Sequence, residues 1–302
     1  MSKGIEVKNL SKSYGERRVL DSVSFDVSIG ETFGLLGVNG AGKTTTIECI
    51  EGLRKPDSGE ITVGGFDVSK SLSSVQKLLG VQLQSTALPE VMTSKEAMKL
   101  FCAWHHISYR EDLLERFDMS GEYINKPYSA LSTGRKRRLH LALSLCHNPK
   151  ILILDEPTAG LDVEGRHSLH KEIHRLKSEG VSILIATHDM SEAETLCDRI
   201  AILHDGHIAK QGRPLELTAS AEIKSRIIIK TAKHSLKNSP MGNVIPEYLP
   251  DDYLSFACND SAELLLTLLT HVKTCNDSVL DLRVERASIE EIFMSVAEGV
   301  IK

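Results

Sequence analysis

Gly37-Val38-Asn39-Gly40-Ala41-Gly42-Lys43-Thr44-Thr45 is the stretch from which the rest of the chain can be read. It follows an apolar, strand-like run from Thr32 to Leu36 and opens a helix-like one from Lys43 to Leu53. Strand, glycine-rich loop and helix in that order are the context of a phosphate-binding P-loop. Gly37, Gly40 and Gly42 let the backbone curl so that successive N–H groups face one anion at the positive end of the following helix. The candidate phosphate cradle is therefore Gly37, Asn39, Gly40, Ala41, Gly42, Lys43, Thr44 and Thr45. Lys43 is spaced to reach β- and γ-phosphates, and the Thr44 hydroxyl suits Mg²⁺. The bland reading is a chance glycine loop ahead of a helix.

The bulk composition narrows the classes. At 302 residues the chain suits one large domain plus a small one. A 41% hydrophobic and 25% charged composition is that of a globular protein with a real core. The formal net charge of −5 supplies no global basic field for nucleic acid, so none is expected as a partner. Cys49, Cys102, Cys146, Cys197, Cys258 and Cys275 form no C-x-x-C pair, which fits reduced thiols in a cytosolic protein rather than disulfides or a zinc site. The start, Met1-Ser2-Lys3-Gly4-Ile5, has no apolar signal core, and no apolar run is long enough for a bilayer. Membrane work is expected to need a separate partner.

Along the chain, short alternating strands are expected at Ile5–Asn9, Val23–Ile29 and Thr32–Leu36, as an antiparallel layer ahead of the P-loop. Tyr14 sits in the first turn, either packing locally or offering its ring to adenine. Glu60–Gly65 and Gly80–Gln84 read as strands. The pattern then turns helical at Ser94–His105, Arg110–Phe117 and Arg135–His147, a helical insertion over about 85–148 in an α/β domain. Ile151–Leu154 is wholly apolar and ends at Asp155-Glu156, so it reads as a buried parallel strand. Asp162–Glu179 is an amphipathic helix closed by Gly180. Val181–Ala186 is another buried strand, ending at Thr187-His188-Asp189, and Arg199–Leu203 and His207–Gln211 flank the hairpin signal Asp205-Gly206. Residues 220–302 change texture into a compact α+β appendage with a leucine-rich helix at Ser261–Thr274.

Acidic residues ending a buried strand downstream of a P-loop are what Mg²⁺ and an attacking water require. Asp155 suits the metal, and Glu156 suits a general base for water. With these in place the set resembles the ATP-binding cassette (ABC) family over residues 1–219. The matching pieces, in the family's order, are Tyr14, the P-loop, Gln84 at the Q-loop position and Leu131-Ser132-Thr133-Gly134-Arg135 at the signature. Asp155-Glu156-Pro157-Thr158, Ala159-Gly160-Leu161-Asp162 at the D-loop and the switch residue His188 follow. The resemblance implies a P-loop α/β core with an antiparallel layer and a helical insertion. It also implies ATP and Mg²⁺ as cofactors, and a head-to-tail dimer, of identical or paralogous cassettes, with two ATP molecules at the interface.

The same resemblance implies the roles. Tyr14 stacks on adenine, and Thr44, Gln84 and Asp155 serve Mg²⁺. Glu156 deprotonates the water, His188 and Lys43 hold the γ-phosphate, and Gln84 couples to the helical insertion. Ser132 and the Gly134 amide act on the partner's nucleotide, and Asp162 links the two sites. The other histidines, His105 and His106 included, read as solvated or structural. The signature departs from the family: Thr133 stands where glycine is usual and Arg135 where glutamine is usual. One reading is that Thr133 adds a Cβ near phosphate and Arg135 a cation that reaches a phosphate or ribose oxygen; the bland reading is that both changes are tolerated because Ser132 and Gly134 remain.

A single cassette without membrane segment or long heptad coils resembles a transporter motor docked on separate integral-membrane permease subunits, at the cytoplasmic face of the cell membrane. The ending Ala287-Ser288-Ile289-Glu290-Glu291-Ile292-Phe293 resembles the tail of drug- and antibiotic-resistance exporter ATPases. An importer motor, or an ATP-driven switch acting on ribosomes or another assembly, are the alternatives. The basic run Arg135-Lys136-Arg137-Arg138 reads as one face of the signature helix rather than a nucleic-acid patch.

Overall fold

A computed structural model describes residues 3–83, 88–220, 225–237, 245–258, 260–285 and 288–297. The chain divides into two compact units, Met1–Pro214 and Leu215–Lys302.

In the first unit β1 (Lys3–Tyr14) and β2 (Arg17–Ser28) form a hairpin, followed by β3 (Thr32–Leu36) and α1 (Lys43–Ile50). Then come β4 (Ser58–Val63), β5 (Phe66–Asp67), α2 (Leu72–Leu78) and β6 (Leu79–Gln82). A helical segment holds α3 (Ser94–Trp104), α4 (Glu111–Arg116) and α5 (Thr133–Ser144). The α/β pattern resumes with β7 (Ile151–Asp155), α6 (Val163–Ser178), β8 (Ser182–Thr187), α7 (Met190–Leu196), β9 (Arg199–His204) and β10 (His207–Gly212). One sheet is antiparallel, in the order β2-β1-β4-β5. The other runs β10-β9-β3-β8-β7-β6 and is parallel except at its β10 edge.

One apolar core joins the two sheets. Ile5, Val7 and Val27 of the antiparallel layer cluster with Phe33, Leu35, Ile153 and Leu184 of the parallel one. The central strands are buried on both faces, which is why β3, β7 and β8 are continuous apolar runs instead of alternating ones. Side chains set the helix starts. Thr93 and Glu96 form a reciprocal capping box at α3, and Ser132, Asp162 and Asp189 cap α5, α6 and α7.

The structure departs from sequence expectation in three places. The first hairpin extends well beyond Ile5–Asn9 and Val23–Ile29, because register shifts and the left-handed residues Asn9 and Ser22 interrupt its alternation. The helix α2 has no counterpart in the expectation; its Ser-rich turns bury only Val75, so no apolar period announces it. Helix α5 begins at Thr133, two residues ahead of the expected start, because Ser132 caps it, and it ends at Ser144.

In the second unit α8 (Pro214–Ser220) leads to β11 (Ser225–Thr231), β12 (Glu247–Tyr248), β13 (Leu254–Cys258), α9 (Ser261–Thr274), β14 (Val279–Glu285) and α10 (Ile289–Ala297). Its antiparallel sheet has the order β12-β13-β11-β14. Leu264, Leu268 and Val272 of α9 lie in its core with Ile227, Ile229 and Phe256, while Leu266 is 70% exposed, so the leucine-rich helix buries one stripe only. Among the described residues no helix is long and apolar enough to cross a membrane.

Candidate functional site

The glycine loop hangs between two parallel strands. The Gly37 amide donates to the Thr187 carbonyl at the end of β8. A Cβ on Gly37 would sit 2.6 Å from the Leu203 carbonyl oxygen, so no larger residue fits there. Gly42 takes φ +110° as the N-cap of α1, and a Cβ there would lie 2.5 Å from Leu20 Cδ2. The loop thus delivers the N-terminus of α1 to a cleft of about 460 Å³ lined by Asn39, Gly40, Lys43, Thr44, Thr45, Asp155 and Glu156, with Tyr14 at its edge. That size accommodates a small-molecule ligand.

Lys43 is 6% exposed and folds back over its own loop, donating to the carbonyls of Gly37 at 2.7 Å and Val38 at 3.3 Å. Its ammonium also stands 3.4 Å from Glu156 Oε1, an ion pair that bridges the segments following β3 and β7, which are separated in the sheet by β8 alone. Glu156 is itself buried, and its Oε2 lies 2.8 Å from His188 Nδ1. Backbone φ at Glu156 is +49°, a left-handed conformation that costs a non-glycine residue about 1 kcal/mol or more. The turn that follows is closed by the Ala159 amide donating to the Glu156 carbonyl.

The Thr44 hydroxyl donates to Asp155 Oδ2 at 3.3 Å. The other carboxylate oxygen of Asp155 is buried without a hydrogen-bond partner among the described residues. Burial raises the Asp155 pKa above the ordinary carboxylate value. An orphaned carboxylate oxygen beside a threonine hydroxyl is a pair of hard oxygen donors, the kind Mg²⁺ takes, and these residues fit that ion.

Tyr14 is 41% exposed, and its ring already carries the Arg54 guanidinium, whose carbon is 5.0 Å from the ring centre. Gln84, expected to serve Mg²⁺, lies outside the described residues. Ser132 and Gly134 line a different cleft, together with Leu161 and Asp162. There Ser132 Oγ accepts from the Arg135 amide, and Asp162 Oδ1 accepts from the Gly165 amide as the cap of α6. The fold therefore brings Lys43, Thr44, Asp155, Glu156 and His188 together and places Ser132, Gly134 and Asp162 elsewhere.

The Arg135 cation lies in the same cleft as Ser132 and Gly134, where it donates to the Asp118 carbonyl and sits 3.9 Å over the Tyr123 ring. Sequence reading gave no site role to three further buried or half-buried groups. Glu192 is buried and accepts from the Thr187 hydroxyl at 2.9 Å, with burial raising its pKa. Arg137 donates to the Leu83 carbonyl from half-buried ground. Gln82 is buried with both amide atoms unpartnered among the described residues. A lone polar residue inside an apolar strand was the signal for Gln82; nothing local marks the other two.

Comparison with known proteins bears on this geometry. A family model described as ABC transporter matches residues 20–159. The Nod factor export ATP-binding protein I of Rhizobium meliloti (strain 1021) is 42% identical over 216 residues, covering 70% of this chain and 64% of its own length. The daunorubicin resistance ATP-binding protein DrrA3 of Streptomyces coeruleorubidus is 31% identical over 300 residues, covering 96% and 94% of the two chains. Among solved structures, the dimeric post-hydrolysis state of the ATP-binding cassette MJ0796 with ADP and Pi superposes with a TM-score of 0.64. It is 25% identical and covers 69% of this chain and 98% of that one.

Proposed function

This chain belongs to the ABC transporter family, and on that premise we propose that it is the ATP-hydrolysing motor subunit of an exporter that works through separate integral-membrane permease subunits. The fold expected from the resemblance, a P-loop α/β core with an antiparallel layer and helical insertion, is the one observed. The observation that carries the mechanism is the separation of the two clefts. One chain holds Lys43, Thr44, Asp155, Glu156 and His188 in one and Ser132 with Gly134 in another, so a complete site needs a second cassette.

The work of each residue follows from its place. The loop amides and the N-terminus of α1 bind the phosphates of ATP. Lys43, held by two loop carbonyls, swings its ammonium toward the β- and γ-phosphates and so releases Glu156. Thr44 and Asp155 would hold Mg²⁺, which would neutralise charge on the phosphate oxygens. Glu156 orients a water in line with the γ-phosphate and accepts its proton; His188, hydrogen-bonded to that carboxylate in the nucleotide-free chain, holds the γ-phosphate. The partner's Ser132 and Gly134, at the start of α5, present a helix N-terminus to the γ-phosphate from the far side. Gln84 couples this site to the helical insertion, where the permease docks, and Asp162 links the two sites across the dimer. Tyr14 faces adenine.

Export is favoured over import, and over a ribosome-directed switch, by the relatives, which are named for Nod factor export and daunorubicin resistance. The chain accordingly sits peripherally at the cytoplasmic face of the membrane. The test is affinity purification of the tagged chain from gently solubilised native membranes. A stoichiometric multi-span protein is expected; ribosomal proteins or a soluble complex in its place would overturn the motor reading.

A further inference from the structure

Well separated in sequence from the phosphate-binding residues, the C-terminal ends of α3 and α5 bring His105, Cys146 and His147 together, with one ligand atom from each within 4.8 Å of the others. We propose that this cluster is a binding site for a zinc-type transition-metal ion, which ties the helical segment to β6.

The donor set is selective. Two imidazoles and a thiol, with no carboxylate, suit Zn²⁺ and exclude Mg²⁺ or Ca²⁺ as the preferred ion. Cys146 Sγ and His147 Nδ1 are 3.9 Å apart. Two such ligands on one tetrahedral zinc stand about 3.6 Å apart, so this pair is nearly at ligand spacing already. The orientation of His147 is fixed from outside. Its Nε2 lies 3.0 Å from the Leu79 carbonyl oxygen, which only accepts, so the ring proton sits on Nε2 and the Nδ1 lone pair is left toward Cys146. A ring N–H held by a backbone carbonyl is the outer-shell support that metal-binding histidines use.

His105 stacks on His147 with ring centres 3.9 Å apart and planes within 4°. Parallel rings do not aim their lone pairs at one point, so ion binding requires His105 to tilt. It can do so, being the residue just past the end of α3 and only half-buried. The fourth position is left to water or to buried Cys102, which stands one turn earlier on α3. Binding exchanges the Cys146 thiol proton for the ion: an S–metal bond forms, and the proton leaves to solvent. Because Leu79 opens β6, the ion would clamp α3 and α5 onto that strand.

The experiment uses the full chain, reduced and stripped with chelator, titrated with Co²⁺ alone and then with Zn²⁺. One equivalent of Co²⁺ is expected to give thiolate charge-transfer and tetrahedral d–d bands that Zn²⁺ abolishes, and Zn²⁺ is expected to raise the melting temperature. Cys146→Ser and His147→Asn should lose the bands, and His105→Asn should weaken binding more than about tenfold. Cys275→Ser should keep them; it removes the other close cysteine–histidine pair, Cys275 Sγ to His271 Nε2 at 3.3 Å. Absence of the bands in the wild-type chain, their survival in His147→Asn or their loss in Cys275→Ser would overturn the site. If Cys146→Ser does not fold, the half-buried His105→Asn variant decides.

Discussion

His188 Nδ1 stands 2.8 Å from Oε2 of Glu156, so the half-exposed imidazole covers a carboxylate whose own side chain is only 6% exposed. Lys43 holds the other oxygen of the same carboxylate at 3.4 Å. This buried acid, bracketed by a cation and an imidazole on a left-handed backbone, is the group proposed to accept the proton of water.

Glu156→Gln is therefore expected to lower ATP turnover by about 10²–10⁴-fold, the usual worth of a positioned proton acceptor, while nucleotide binding survives. Stability should fall, because the buried Lys43 ammonium loses its counter-ion and keeps only the two loop carbonyls. Phosphate release and a nucleotide-binding titration on the same preparation check both halves. Turnover within a few-fold of wild type would remove Glu156 from the chemistry.

Lys43 and Glu156 should also show energetic coupling. Lys43→Met strands a buried carboxylate oxygen, at a cost of about 1–3 kcal/mol, whereas the same change made in Glu156→Gln strands no charge. Denaturant melts of the two single variants and the double variant should give a destabilisation smaller than additive. Strict additivity would mean that the pair contributes nothing in the nucleotide-free protein.

Arg135→Gln is expected to cost stability rather than change turnover, since the guanidinium serves Asp118 and Tyr123 of its own chain. The loss should be about 1 kcal/mol, the size of one partly exposed cation–π contact. A clear gain in ATPase rate in Thr133→Gly, Arg135→Gln would instead show that the unusual signature restrains hydrolysis.

Stability should fall as pH rises through neutrality because of Glu51. Burial, with repulsion from Glu48 and Asp155, lifts its carboxyl from the ordinary value to about 7. The folded pKa exceeds the unfolded one, so the neutral acid's contribution is complete below about 4.5 and is lost as pH climbs toward and past 7. The loss is at most about 3 kcal/mol. Glu51→Gln should flatten that dependence in melts from pH 5 to 8 and be more stable than wild type at pH 8.

Each unit holds its own apolar core, in the first around Phe33 and Leu184 and in the second around Ile229 and Phe256. A chain ending at Pro214 is expected to unfold cooperatively and still bind nucleotide. Whether it still dimerises, by light scattering with Glu156→Gln and ATP, separates a dimer-stabilising appendage from a regulatory one.

Much of this was legible in the residues themselves. The glycine loop could be read because it builds its anion cradle from contiguous backbone, so the ligand's demand is written in one stretch. The apolar runs Ile151–Leu154 and Ile183–Ala186 announced buried parallel strands, and the acids and histidine after them announced a strand-end site. The hairpin ends and α2 were illegible because bulges and a serine-rich turn carry no hydrophobic period. The partners of Arg135 were illegible for a related reason: Asp118 and Tyr123 lie in a segment whose return to α5 no local signal records.

The sequence by itself determined the P-loop, the order of motifs and the family, because each motif is a short run whose chemistry is local. Only the tertiary structure decided that Lys43 pairs with Glu156, that Ser132 and Gly134 face a different cleft from Lys43, and that His105 stacks on His147 beside Cys146. Those juxtapositions join residues far apart along the chain, and they come into being only when burial of the shared core closes the loops between them.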